Sequence, residues 1–322
     1  MNGVAMHSLY RRNHPHGLMF HRFHADGAKF AAQGSLSPKQ FEKILQFVGV
    51  DNILTPDEWV SQLQAGTLGP LDLCLTFDDG LRSQMNYAEP ILAKYGLRAF
   101  WFVYSIVFEG GIVKSEVYSE AVPRMGGIDG VTSALLTQWP AAVDTHLKTA
   151  EFALFQRKML KLNPFYTQQD CLFRFLRNSN LHGKTFEIFM DRIMKEHGLI
   201  IEEIGKGLWM DRDNLKFLVS SGHWVGLHSY SHPYAMNTLS YTAQKMEYQR
   251  NYSHLASLTG AKPRCMSHPR NAYNSKTLQI LRSFGIECGF RDTLKAAPRM
   301  LINSSPLAMA REDSTTLLSL TQ

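Results

Sequence analysis

The sequence predicts an α/β fold, a closed or distorted (β/α) barrel that carries a long, mainly helical insertion. Three observations predict it. Eight short apolar runs, each bounded by turn residues, read as strands buried on both faces, as parallel strands are. Helical patterns with capping signals lie between many of these runs, an alternation that argues for parallel strands joined by helices. One gap between runs is far longer than an ordinary crossover and is itself helical in pattern.

In chain order, the first run is GLMFHRF (17–23). The helix SPKQFEKILQFV follows, with Ser37 as its N-cap and Pro38 in its first turn. DNILTP (51–56) and DLCLTF (72–77) are the second and third runs. SQMNYAEPILAKYG is helical and closes on Gly96; RAFWFVY (98–104) is the fourth run. Residues 107–205 form the insertion, with helical stretches such as HLKTAEFALFQRKMLKL (146–162) and KTFEIFMDRIMKEHG (184–198). The remaining runs are HWVGLHS (223–229), RCMSH (264–268), IECGF (286–290) and PLAMAR (306–311). Between them SYTAQKMEYQRNYSHLASLTG and NSKTLQILRSFG end on Gly260 and Gly285, residues suited to a helix C-cap. Eight strands favour a closed barrel over an open sheet. The chain is therefore expected to be a single barrel domain over 1–322, with 107–205 inserted as a lid, a substrate-selecting surface, a dimer contact or simple packing.

Composition narrows the function. Single α/β barrels run to roughly 250 residues and more, so 322 residues suit one domain with an insertion. Hydrophobic residues make up 44% and charged residues 19%, enough for a large core and against disorder. The net charge of +6 suits either a solvated surface or attraction to an anionic substrate. No Lys/Arg run resembles a nucleic-acid tail, so no nucleic-acid partner is expected. Cys74, Cys171, Cys265 and Cys288 are far apart and form no CxxC pair, as expected for buried, reduced thiols in a cytoplasmic protein. The opening MNGVAMHSLYRRNHPHG lacks the apolar stretch of a secretory leader, and no run approaches the roughly 18 apolar residues of a membrane span. A cytoplasmic protein without a transmembrane segment is expected.

Four polar clusters carry the chemistry. Asp78 and Asp79 follow LCLTF and precede Gly80. A strand-end Asp-Asp-Gly is commonly just a turn. It can also deliver two carboxylates that point in different directions, one to a metal and one to a substrate. His228 and His232 are the only His pair at a spacing of four among 13 His, and two imidazoles with a carboxylate leave room for water on a metal. SHPRNAYN (267–274) reads as a loop or as the wall of a substrate groove. Arg311 and Asp313 read as a surface ion pair of little worth, or as part of a site. All four clusters sit at the C-terminal ends of predicted strands, the face where α/β barrels build active sites. Their coincidence there is the argument; each alone is weak.

TFDDG (76–80), HSYSH (228–232) within GHWVGLHSYSHP, MFHRF near the start and SHPRNAYNSKTLQILRSFGIECGF near the end together resemble the polysaccharide deacetylases with NodB homology, carbohydrate esterase family 4. The resemblance covers most of 17–313 apart from the insertion, and implies a distorted (β/α) barrel of the NodB-homology type. It implies hydrolysis of the N-acetyl group of an amino sugar or sugar-containing glycan precursor. It assigns the metal to Asp79, His228 and His232 and the base to Asp78, which takes a proton from the attacking water. The metal expected is one divalent ion, Zn2+ first, with Co2+ or Ni2+ compatible. Pro269, Arg270, Asn271 and Tyr273 fall where the family forms its groove wall.

There are departures. Ser267 occupies the family's usual Arg position and Asn271 its Gly position. No His follows His268, so the family's general acid has no counterpart; His268 and His21 are the candidates. Arg311 is expected to supply the cation that orients Asp78, with Asp313 holding Arg311. The alternative is a catalytically impaired protein that keeps the metal to bind sugar or to scaffold. The substrate, the oligomeric state (a homo-oligomer included) and the role of the insertion stay open at this level.

Overall fold

The computed structural model describes residues 10–138, 150–162, 166–178, 183–295 and 301–321. The opening nine residues, and residues 146–149 of the predicted 146–162 helix, lie outside them. Seven strands form one sheet: β1 (His16–Phe20), β2 (Leu73–Asp78), β3 (Ala99–Val103), β4 (Trp224–Leu227), β5 (Cys265–Ser267), β6 (Cys288–Phe290) and β7 (Arg311–Asp313). Their order is β6-β5-β4-β3-β2-β1-β7, and every pair is parallel. The segment that leads into β7 also touches the far edge. Phe290 bridges to Met309, and Met309 N donates to Gly289 O at 2.8 Å. Two residues later Arg311–Asp313 pairs with β1. The sheet thus becomes a nearly closed barrel.

Strand periodicity sorts the side chains into two sets. Cys74, Phe100, Phe102, Cys265, Cys288, Phe290 and Met309 pack with one another in one cluster. Leu73, Leu75, Phe77, Trp101 and Val103 belong to the other, which includes Phe41, Ile44 and Leu45 of the Pro38–Val48 helix. Phe77 and Trp101 stack at 4.2 Å between centroids. Burial on both faces explains why the strands read as continuous apolar runs. The four cysteines are buried and free. Gly226 is required where β4 meets β5, since a Cβ there would lie 2.5 Å from Cys265 Sγ and 2.6 Å from its carbonyl.

Helix signals fell close to the structure. Ser37 and Gln40 form a capping box at the Pro38–Val48 helix. The Tyr241–Thr259 helix starts on Ser240 and ends on Gly260. One expected strand is absent. DNILTP makes a short 3-10 turn at Val50–Asn52, a single bridge from Ile53 to Leu73, and then a helix at Pro56–Ala65. Thr55 and Glu58 form a capping box around Pro56, and that helix start ends the extended run. Among the described residues the barrel has seven strands rather than eight.

The chain divides into two compact units. The barrel unit comprises 1–27, 34–111 and 208–322, and the second unit 28–33 and 112–207. In the second unit the described elements are helical, among them Lys114–Ala121, Gln168–Asn178 and Gly183–Glu196. Asp191 anchors it internally, accepting from Lys114 Nζ at 2.6 Å and Tyr118 OH at 2.5 Å. Among the described residues no helix is long and apolar enough to cross a membrane.

Candidate metal and catalytic site

Parallel strands place their C-terminal ends on one face, and the polar clusters gather there. β2 ends on Asp78. Asp79 then turns into the left-handed region, φ 75°, a conformation Asp tolerates better than most residues. This reversal sends the two carboxylates different ways. Ser229 and His232, φ 64° and 56°, take the same uncommon conformation in the loop after β4. Strain of this kind persists where surrounding contacts hold it. Here Ser229 Oγ accepts from His232 N at 3.1 Å, and Glu247 accepts from Tyr230 N, Ser231 N and Ser231 Oγ at 2.7–3.0 Å.

The structure brings Asp79, His228 and His232 together: one ligand atom from each lies within 4.8 Å of the others. His228 Nε2 is 3.5 Å and His232 Nε2 3.7 Å from Asp79 Oδ1. All three side chains are buried. The chemistry of this set fits a cation. His228 Nδ1 lies 3.0 Å from Ser267 O, so Nδ1 carries the proton and Nε2 turns a lone pair toward a carboxylate oxygen. Asp79 Oδ1 is buried with no hydrogen-bond partner, as is His232 Nδ1. Burial lowers His232 to about 3, helped by His228, so its imidazole is neutral and fit to ligate. Burial works the same way on His228, but Asp78, Asp79 and the Ser267 carbonyl outweigh it and raise its pKa. The carboxylates favour positive charge at this spot.

Asp78 is held differently. Arg311 Nη1 and Nη2 donate to its two oxygens at 2.7 Å each, a bidentate pair with both partners buried. Ser267 Oγ donates to Asp78 Oδ2 at 3.2 Å and accepts from Arg311 Nη2 at 2.8 Å. Burial alone would raise the Asp78 pKa, but Arg311 and then His228 reverse this and hold it well below the usual carboxylate range. Arg311 is itself fixed through Nε to the Arg291 carbonyl at 2.8 Å and Nη1 to Thr76 Oγ1 at 3.3 Å. The expected support from Asp313 is not there. Asp313 Oδ1 caps the Ser314–Leu320 helix, accepting from Thr315 N at 2.8 Å. Residues 311 and 313 share a strand, and the capping demand of the helix behind β7 takes the carboxylate.

His21 follows β1, with Nε2 3.8 Å from Asp78 Oδ2 and its side chain 36% exposed. His268 has a different setting. It is 1% exposed, its Nε2 lies 2.7 Å from the Leu307 carbonyl, and its ring stacks on Tyr273 at 4.0 Å. Burial lowers it to about 3. Of the groove residues, Pro269 is buried and Arg270 lies over the Tyr234 ring at 3.8 Å, while Asn271 and Tyr273 line a cavity of about 480 Å³.

Sequence reasoning missed Asn251. Its Oδ1 accepts from His228 N at 3.0 Å, and its Nδ2 donates to Val103 O and Ser105 Oγ at 3.0 Å each. It thereby pins the end of β3 to the end of β4. Its only local signal is a polar residue on the inner face of the Tyr241–Thr259 helix. Tyr104, whose hydroxyl accepts from Trp209 Nε1, was also missed; its ring lies 5.3 Å from that of His232.

The polysaccharide deacetylase family model matches residues 172–289, which hold both histidines and Ser267 but not the Asp pair. Over those residues, about a third of the chain, the sequence is similar to the polysaccharide deacetylases. Two solved structures share the fold along nearly the whole chain. The Streptococcus pyogenes deacetylase PplD, solved in complex with acetate, has 17% identity and a TM-score of 0.53, covering 97% of this chain and all of that one. IcaB from Ammonifex degensii has 16% identity and a TM-score of 0.52, covering 97% and 98%. No curated relative matches by sequence.

Proposed function

We propose that the chain is a metal-dependent hydrolase that removes the N-acetyl group from an amino sugar of a glycan or glycan precursor. The observation that carries this reading is the pairing of two separate devices at one barrel face: a buried His–His–Asp cluster that suits a divalent metal, and a second carboxylate kept ionised beside it. A binding module needs the first but not the second.

A divalent metal at Asp79, His228 and His232, zinc in the first instance, would acidify water and polarise the acyl carbonyl. Asp78, ionised and aimed by Arg311 and Ser267, accepts the proton of the attacking water as its oxygen bonds to the acyl carbon. Its basicity is low, and a metal held by Asp79, His228 and His232 would supply the acidification that brings the water within its reach. As the C–N bond breaks, the amide nitrogen needs a proton. His21 is the donor this geometry supports, being accessible and beside Asp78. His268 is buried, neutral and committed to the Leu307 carbonyl, so it acts as a wall through its stack on Tyr273. Acetate and a free amine result.

The test is acetate release from N-acetylated glycans with and without a chelator. Release that stops on chelation and returns with Zn2+, Co2+ or Ni2+ is expected. Release untouched by metal removal would sink the metal dependence. Absence of release from every such glycan, with metal bound stoichiometrically, would favour the sugar-binding or scaffolding alternative.

A further inference from the structure

Beside the candidate site, the loop after β5 and the segment before β7 enclose the cavity of about 480 Å³. That volume lies within the range of small-ligand pockets and accommodates a sugar unit. Its lining includes Asn271, Tyr273, Arg291, Leu301, Ser304 and Ser305, and among the described residues no acidic side chain lines it. Arg291 is 5% exposed. Nη1 donates to the Lys295 carbonyl at 2.8 Å, while Nε and Nη2 have no hydrogen-bond partner among the described residues. Arginine stays charged in proteins, and a buried cation with two idle donors is costly unless something accepts from them. Asp292, its chain neighbour, attracts it without bonding to it. Asn271 Oδ1, on the same cavity, is likewise buried and unpartnered, an acceptor for a hydroxyl.

The geometry points to a subsite for an acidic sugar unit, whose carboxylate or phosphate pairs with Arg291 and whose hydroxyl donates to Asn271. The adjoining N-acetylated unit would lie at the metal site, because the stack of Tyr273 on His268 joins cavity and site. This rests on the deacetylase reading and extends it: the substrate is an acidic glycan rather than a neutral one. The overall charge of +6 acts in the same direction.

The experiment uses the full chain with zinc supplied and three probes: N,N′-diacetylchitobiose, and the same disaccharide carrying a 6-phosphate or a 6-carboxylate. Calorimetry gives Kd, and acetate release is followed separately. Wild type is expected to bind an acidic probe about tenfold to a hundredfold more tightly than the neutral one, the range for a hydrogen-bonded charge. Arg291→Gln is expected to erase that preference. Leu301→Glu sets a carboxylate at an 82% exposed position on the cavity edge and is expected to reduce the preference without touching the buried guanidinium, which keeps the test decisive if Arg291→Gln fails to fold. Preference for one acidic probe over the other names the group recognised. Equal Kd values in wild type, or a preference undiminished in both variants, overturn the subsite. Acetate release without acidic preference removes the subsite and leaves deacetylation standing; acidic preference without acetate release does the reverse.

Discussion

Arg311 holds both oxygens of a buried carboxylate, so its removal strands a charge. Arg311→Ala is expected to destabilise the fold by about 3–5 kcal/mol, the usual result of breaking a buried pair from one side. It should also lower kcat/KM by about a hundredfold. Arg311→Lys restores the charge but not the fork, so it should recover more stability than rate. Denaturation midpoints and steady-state kinetics read the two separately; equal recovery of both would remove the orienting role. The two histidines make a second prediction. His268→Phe should leave the basic limb of the pH–rate profile in place, whereas His21→Phe should abolish it. Loss of that limb in the His268 variant alone would return the acid to His268. At this scale the Asp and His residues of the cluster were legible because their motifs are local. Ser267 was legible only as a departure from the family. Its hydroxyl bridges Arg311 and Asp78, partners 44 and 189 positions away, and nothing local announces such a contact.

At the scale of elements, the Tyr241–Thr259 helix supports the His228–His232 loop from behind. Asn251 reaches the His228 backbone and Glu247 holds the backbone between the two histidines. Asn251→Ala should therefore cost about 1–3 kcal/mol through unpaired buried groups and weaken metal binding roughly tenfold. Metal titration of the folded variant checks this. A lowered melting point with unchanged metal affinity would make Asn251 purely structural. Helix starts and ends were the most legible features here, since Ser37, Ser240 and Gly260 cap in sequence-local ways. The same locality explains the one strand misread. Ile53 and Leu54 are apolar enough for a strand, but the Thr55–Glu58 box around Pro56 starts a helix at once.

For the whole molecule, buried neutral histidines tie stability to pH. Burial lowers His16 and His223 to about 4; for His16 the His14 carbonyl and Glu312 resist this, and for His223 Arg98 adds to it. Unfolded, both take up a proton near pH 6.5, while the folded chain refuses it until about pH 4. Stability is then full above pH 6.5 and falls through the window from 6.5 to 4, on the order of 1–3 kcal/mol per group. Urea midpoints at pH 7 and pH 4 should converge more in His223→Gln than in wild type; an identical acid loss would exclude His223. Metal at the proposed site would act on the whole fold too. Chelation should lower the melting temperature, and added zinc should raise it with the logarithm of its concentration. A melting temperature indifferent to zinc would count against the site.

Sequence by itself determined the parallel α/β class, the caps, the Asp79, His228 and His232 cluster and the adjacent acid pair. Apolar periodicity, capping chemistry and short motifs all act within a few residues, and the chain records them directly. Tertiary structure alone decided how many strands close the barrel, that Ser267 bridges Arg311 and Asp78 while Asp313 turns away to cap a helix, that His268 is walled in while His21 is open, and that Arg291 keeps idle donors on a cavity. Each of these depends on which distant residues share the C-terminal rim of the strands. Parallel pairing brings residues 21, 78, 228, 267 and 311 to that rim, and no local pattern encodes the distances between them.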